Sequence, residues 1–256
     1  MLLRRITQHV KEQNWFAVGI DLVVVVVGIF LGIQVANWNE GRLAQEESST
    51  YIERVRQDLD ENYRDIMQRK RYFEQVQQHA IAALSTLNDP DATLGQQFLI
   101  DIYQASQIMP RGFGRDTYDE ILSVGALSSF EDTLIKKRIS NYYRSIQAAI
   151  ANIQADSPYR DLVRAVMPID VQRAIRGSCD DIIKTGDNLE PILTLPESCP
   201  VTFEPSTIAR ALDLIQKEDF SRALTQRISQ LDTVLSAANV ILVRTDMIDN
   251  YLSSVQ

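Results

Sequence analysis

The sequence predicts an all-α protein: a single N-terminal transmembrane helix that continues into a long stalk helix and then an antiparallel helical bundle outside the membrane. Three observations predict it. From Phe16 to Ala36 the chain holds 21 residues and a single charge, Asp21. A 3-4 spacing of mostly apolar positions then runs from Ile52 to Leu87, as helices that pack on one face require. Only ten glycines and eight prolines punctuate 256 residues, and almost no alternating strand pattern is visible.

Composition narrows the classes of function. The chain is 45% apolar with a formal net charge of −8, an ordinary balance for a folded protein. Nucleic acid is not an expected partner, because a phosphate backbone calls for a basic surface. The same acidity gives the region after the membrane segment no general attraction to anionic lipid.

The apolar run is about the length needed to cross a hydrocarbon core roughly 30 Å thick. The two tryptophans of the chain, Trp15 and Trp38, bracket it. Their spacing corresponds to about 34 Å of helix, which sets one indole at each interface as an anchor. A cleaved leader is the alternative, since Arg4 and Arg5 precede the run. Against it, the run exceeds a usual leader core, and Gln34-Val35-Ala36 lacks small residues at both cleavage-specifying positions. Charge sets the orientation: Arg4, Arg5 and Lys11 against Glu12 stand before the span, and Arg42 against Glu40, Glu46 and Glu47 follows it. The expected arrangement is a cytoplasmic tail over 1–14, a membrane helix over 15–38, a stalk over 39–88 and a helical domain over 89–256 on the far side.

Beyond Trp38 the stripe at 52, 55, 59, 62, 66, 69, 73, 76, 80, 83 and 87 is apolar at nine of eleven positions, Asn62 and Arg69 being the exceptions. Asn88-Asp89-Pro90-Asp91 stops that helix. A second helix is expected over Leu94 to Met109, ended by Pro110 and the turn Arg111-Gly112-Phe113-Gly114. Thr117-Tyr118-Asp119-Glu120 has the pattern of a capping box opening a short helix that closes near Gly125. Further helices are expected from Glu131 to Ala155, and from Pro158 to Ile175 with an interruption at Pro168 and closure at Gly177. The last two run from Ser206 to Lys217 and from Asp219 to Leu252.

Cys179 and Cys199 are the only cysteines, and both fall in a segment rich in Pro, Asp and Gly. In an oxidising compartment they would close the loop 179–199, worth roughly 3 kcal/mol. Two unrelated buried thiols are the alternative. Without C-x-x-C spacing or nearby histidines, no zinc or redox site is expected.

Three blocks resemble a family of bacterial single-pass inner-membrane proteins of unknown function. The first runs from Asp21-Leu22-Val23 through Gly28-Ile29-Phe30-Leu31 and Gln34 to Asn37-Trp38-Asn39-Glu40. The second is Tyr51-Ile52-Glu53-Arg54-Val55-Arg56-Gln57-Asp58-Leu59. The third is Thr117 to Gly125, followed by Ile139-Ser140-Asn141-Tyr142-Tyr143. Together they cover about half the chain, and the membrane block is the most specific. Asp21 departs from the pattern, since members more often carry Glu there. The resemblance implies the bacterial inner membrane and an all-helical periplasmic region, and it implies no activity.

Catalytic signatures are nearly absent. The two histidines are His9 in the tail and His79 on the stalk, so a Ser-His-Asp site outside the membrane would have to use His79. Asp89-Pro90-Asp91 lacks the glycine and terminal glutamate of a calcium loop. Lys136-Lys137-Arg138 reads as an exposed face. The expectation is a protein that is not an enzyme and uses no cofactor or metal.

The membrane helix breaks its own rule at Asp21. At the bilayer centre an acid costs about 2.5–3.5 kcal/mol, which fourteen Val, Ile, Leu and Phe residues offset at roughly −0.4 kcal/mol each. Gly28 and Gly32 lie within about 20° of the Asp21 direction on a helical projection. They form a GxxxG motif that Ala36 extends, so the acid and the small residues share one stripe. Asp21 then has three readings: a hydrogen-bonding group shielded at a helix interface, an inert carboxyl reaching the cytoplasmic interface, or a proton carrier of the kind found in stator-type subunits. The expected function is a non-enzymatic homo-oligomer whose periplasmic domain assembles or binds another membrane or periplasmic protein. The alternatives are a proton- or ion-coupled subunit using Asp21, and a ligand-sensing accessory protein.

Overall fold

Helix α1 spans Trp15–Asn88, 74 residues without a break, or about 111 Å at 1.5 Å per residue. The structure is a computed structural model and describes residues 15–109, 112–130, 132–185 and 191–255. The tail over 1–14, with Arg4, Arg5, His9 and Lys11, lies outside the described residues, as do Pro110, Arg111 and Glu131. Among the described side chains every one from Phe16 to Glu40 is exposed. This part of α1 is long and apolar enough to cross a membrane, and none of its apolar window is buried against the rest of the chain.

Burial begins at Tyr51. All ten stripe positions from Ile52 to Ala83 are buried, and Leu87 packs half-buried on the same core. Their partner is the last helix, α8, Phe220–Ser254. It buries Phe220, Leu224, Arg227, Leu231, Val234, Ala238, Ile241, Thr245, Ile248 and Leu252, the same 3-4 spacing. Gln77 donates to Asp232 at 2.7 Å and Arg56 pairs with Asp249 at 2.8 Å, so the two helices run in opposite directions. Burying a Leu or Ile fully is worth about 1.5–3 kcal/mol, so this seam is a large contributor to the stability of the core.

The other elements clad the seam. Helix α2, Gln96–Ala105, is buried from Phe98 onward and is tied to α1 by His79 Nδ1 and Asp101 Oδ1 at 2.7 Å. Helix α3, Asp116–Ser123, and a 3-10 turn, Ala126–Ser129, cover the part of α1 nearer the apolar run. Helix α4, Thr133–Ile153, starts at Asp132, whose carboxylate accepts from Leu134 N, and lies along α8. Helices α5, Pro158–Val166, and α6, Ile169–Cys179, divide at Pro168, and α7 is Pro205–Ile215.

Three expectations are corrected. Thr117 and Glu120 do not form a capping box. Arg115 is the N-cap residue of α3, and the Thr117 N–H is given to Asp58 on α1 at 3.1 Å. Glu120 reaches Arg54 instead, so a carboxylate from a neighbouring helix replaces the local cap. Gly177 does not close a helix, because α6 continues to Cys179; Gly125, by contrast, has φ 71° just beyond α3. The loop 179–199, in a chain with almost no visible strand pattern, is not free of strands. It contains an antiparallel hairpin, β1 Ile182–Thr185 with β2 Pro191–Thr194, in register Ile183 to Leu193. Four-residue strands with no alternation of polar and apolar residues carry too little pattern to be read from sequence.

Candidate functional site

Two regions carry polar groups in unusual places: the bare face of α1, and the core around the end of α2. On the bare face Asp21, Gly28, Gly32 and Ala36 are all exposed, and Trp38 is 72% exposed. Trp15 is the first residue of α1, and its side chain lies outside what the structure describes. A Cβ built on Gly28 or Gly32 meets no atom within 4 Å. Nothing among the described residues requires glycine at either position. Helical geometry holds both within about 20° of Asp21.

Cys179 and Cys199 lie at disulfide distance, with Cα atoms 5.2 Å apart. The pair joins the end of α6 to the segment after β2. His79 is bonded to the buried Asp101, and among the described residues no hydroxyl bonds its other ring nitrogen. No group of three His, Cys, Asp or Glu side chains among the described residues is arranged to hold a metal ion.

Where α3 meets α1, the second and third sequence blocks come together. Arg54 donates through both terminal nitrogens to the two oxygens of Glu120, and Asp58 caps α3. Tyr118 stacks on Tyr143 with centroids 4.3 Å apart, and Tyr142 meets Thr245 on α8 at 2.9 Å. The Arg54 guanidinium holds the Glu120 carboxyl below the usual carboxylate range, and burial pushes the Tyr143 hydroxyl up. These contacts fix α3 and α4 to the α1–α8 seam.

The two polar members of the α1 stripe face the turn after α2. Asn62 and Gly114 exchange two hydrogen bonds, and Arg69 donates to the Gly112 carbonyl at 2.8 Å and to Asp65 at 2.7 Å. Asn62 and Arg69 therefore serve as clamps for a glycine turn.

The end of α2 is ringed by guanidinium groups that the sequence reading did not single out. Arg227, 2% exposed on α8, donates to the carbonyls of Ala105 and Gln107 at 3.0 and 2.7 Å. Arg160 donates to the Ser106 carbonyl at 3.1 Å, and Arg164 lies 3.9 Å over the Tyr103 ring. Burial pushes the Arg227 guanidinium down to about 10, and it lowers Arg164 as well. A signal was available, since continuing the 3-4 spacing back from Leu252 puts Arg227 on the core face. Against family models, curated proteins and solved structures, the chain finds no match.

Proposed function

We propose that this chain is a non-enzymatic, self-associating protein of the bacterial inner membrane. Its N-terminal tail lies in the cytoplasm, residues 15–38 cross the bilayer, and an antiparallel helical bundle stands on the stalk in the periplasm. The bundle assembles or binds a further membrane or periplasmic protein. The observation that carries this reading is the bare face of α1: an exposed apolar run whose one acid shares a stripe with two glycines on which a Cβ would meet none of the described residues.

Association gives that stripe a purpose. Facing lipid, Asp21 would cost up to about 2.5–3.5 kcal/mol at the bilayer centre. Facing a second helix brought close by Gly28 and Gly32, the carboxyl is shielded and can hydrogen-bond across the interface. The charge bias of the flanks supports the orientation. The cysteine pair fits an oxidising compartment, and the resemblance of the three blocks supports the bacterial inner membrane. Light scattering of the full chain in detergent tests the reading: the wild type is expected as a multiple of 29.1 kDa, and Gly28→Ile with Gly32→Ile as a single copy. A single-copy wild type, or an unchanged mass in the double variant, would overturn it.

A further inference from the structure

The cavity beside the arginines is the other place where the chain leaves something over. It encloses about 630 Å³ between α1, the turn after α2, the start of α5 and α8, a size in the range of about 300–1,000 Å³ that small-molecule sites occupy. Arg160 and Arg227 line one side. Phe73, Ile108, Met109, Ile153 and Val234 supply an apolar wall, and Asp156 and Asp161 stand at the exposed rim.

The charges there are balanced in number but not paired: Asp156 and Asp161 stand on the rim, and Asp181 acts on Arg160 only from a distance. Among the described residues no carboxylate lies within ion-pair distance of Arg160, Arg164 or Arg227. The partners of Arg160 and Arg227 are neutral: backbone carbonyls at the end of α2, Gln107 Oε1 and Gln230 Oε1. A helix C-terminus presents about half a negative charge, and the two rim carboxylates are exposed to water, so neither guanidinium has a charged partner in contact. In a chain with net charge −8, a guanidinium that is 2% exposed and faces no acid is unusual. Three of the five Arg227 N–H groups are spoken for, which leaves donors for an incoming anion.

We propose that this cavity binds a small monocarboxylate with an apolar body, its carboxylate against Arg160 and Arg227 and its body against the wall of Phe73, Ile153 and Val234. The planar fork of a guanidinium matches a carboxylate. Asp156 and Asp161 at the rim disfavour a second negative charge, which argues for a monoanion over a phosphate dianion. The start of α5, with Ser157 as its N-cap beside the cavity, adds a positive helix end to the same side. The site stands whether or not the chain self-associates.

The test titrates the full chain in nanodiscs with hexanoate and phenylacetate, with n-hexanol and inorganic phosphate as controls, following binding by calorimetry and the melting temperature. At least one carboxylate is expected to bind and raise the melting temperature, while both controls bind at least about tenfold more weakly. Arg160→Gln keeps an amide donor and is expected to weaken carboxylate binding about tenfold or more. Arg227→Met should abolish it; if that variant fails to fold, Arg160→Gln alone decides. No binding of either carboxylate up to about 10 mM, equal binding of hexanol or phosphate, or an undiminished affinity in Arg160→Gln would overturn the proposal.

Discussion

Asn62 and Gly114 hold one another through two hydrogen bonds. The Asn62 side-chain amide donates to the Gly114 carbonyl at 2.7 Å, and the Gly114 N–H donates back to Asn62 Oδ1 at 3.0 Å. They are 52 residues apart, one at a stripe position of α1 and the other in the turn that leads to α3. A Cβ on Gly114 would sit 3.2 Å from Asn62 Oδ1. A polar residue in an apolar stripe and a glycine in a turn are thus a single device that sets where the chain re-enters α1.

Breaking that device should be costly. Asn62→Ala removes two hydrogen bonds, each worth about 0.5–1.5 kcal/mol net, since the exposed Gly114 can turn its freed N–H and carbonyl to water. Allowing for water reaching the turn, a loss of about 2 kcal/mol is expected in denaturant unfolding of the full chain. Gly114→Ala should cost less, about 1 kcal/mol, because the Asn62 amide can shift by a few tenths of an ångström. Wild-type stability in Asn62→Ala would contradict the clamp.

High pH should unfold the domain through its tyrosines. Burial raises Tyr72, Tyr143 and Tyr159 well above their ordinary value of 10, and Tyr142 to about 12. Below pH 10 both states hold these protons and the stability is complete. Above it the unfolded chain releases them and the folded one does not, so stability falls as pH rises from 10 towards the folded values. Arg227, lowered to about 10, and Arg164, also lowered by burial, act in the opposite sense, but they are two groups against four. Tyrosinate absorbance from these four should appear together with loss of helical circular dichroism. Complete ionisation of all nine tyrosines with the helices intact would contradict their burial.

Cys179 and Cys199, 20 residues apart in sequence, should stabilise the domain mainly by restricting the unfolded chain. Replacing both with Ser is expected to cost roughly 3 kcal/mol. Protein isolated from membranes without reductant should resist thiol alkylation until it is reduced. Two free thiols in freshly isolated material would count against both the pair and the oxidising compartment.

Asp21 is expected to bind a neighbouring helix and not to carry current. Asp21→Asn keeps a hydrogen-bonding side chain and should leave the mass in detergent unchanged, whereas Asp21→Leu should weaken the assembly. Liposomes holding the wild type should show no proton flux above empty vesicles. A flux that Asp21→Asn abolishes would move the account to a proton-coupled subunit.

The long-range skeleton was legible because its signal repeats. From Ile52 to Leu87 one spacing recurs over five heptads, and the structure buries those positions. The exceptions Asn62 and Arg69 were visible as exceptions, but their partners were not, since a turn some 50 residues away leaves no mark on local pattern. Thr117 and Glu120 satisfied a local rule that lost to Asp58 and Arg54, brought alongside by folding. Arg227 was missed for a different reason: on a mostly polar helix one arginine stands out only once the 3-4 phase is carried through from Leu252. The hairpin between the cysteines had four residues per strand and no alternation to show.

The central claim is that one face of the membrane helix meets another copy, and a cysteine scan tests it most directly. Single cysteines at Val25, Gly28, Gly32 or Val35 lie on or next to the Asp21 direction, whereas Val23, Val26, Phe30 and Gln34 point about 140–180° away on the projection. Oxidation in native membranes should give strong dimer bands for the first four and weak ones for the second four. Equal cross-linking around the helix, none at any position, or a maximum centred on Phe30 would contradict it.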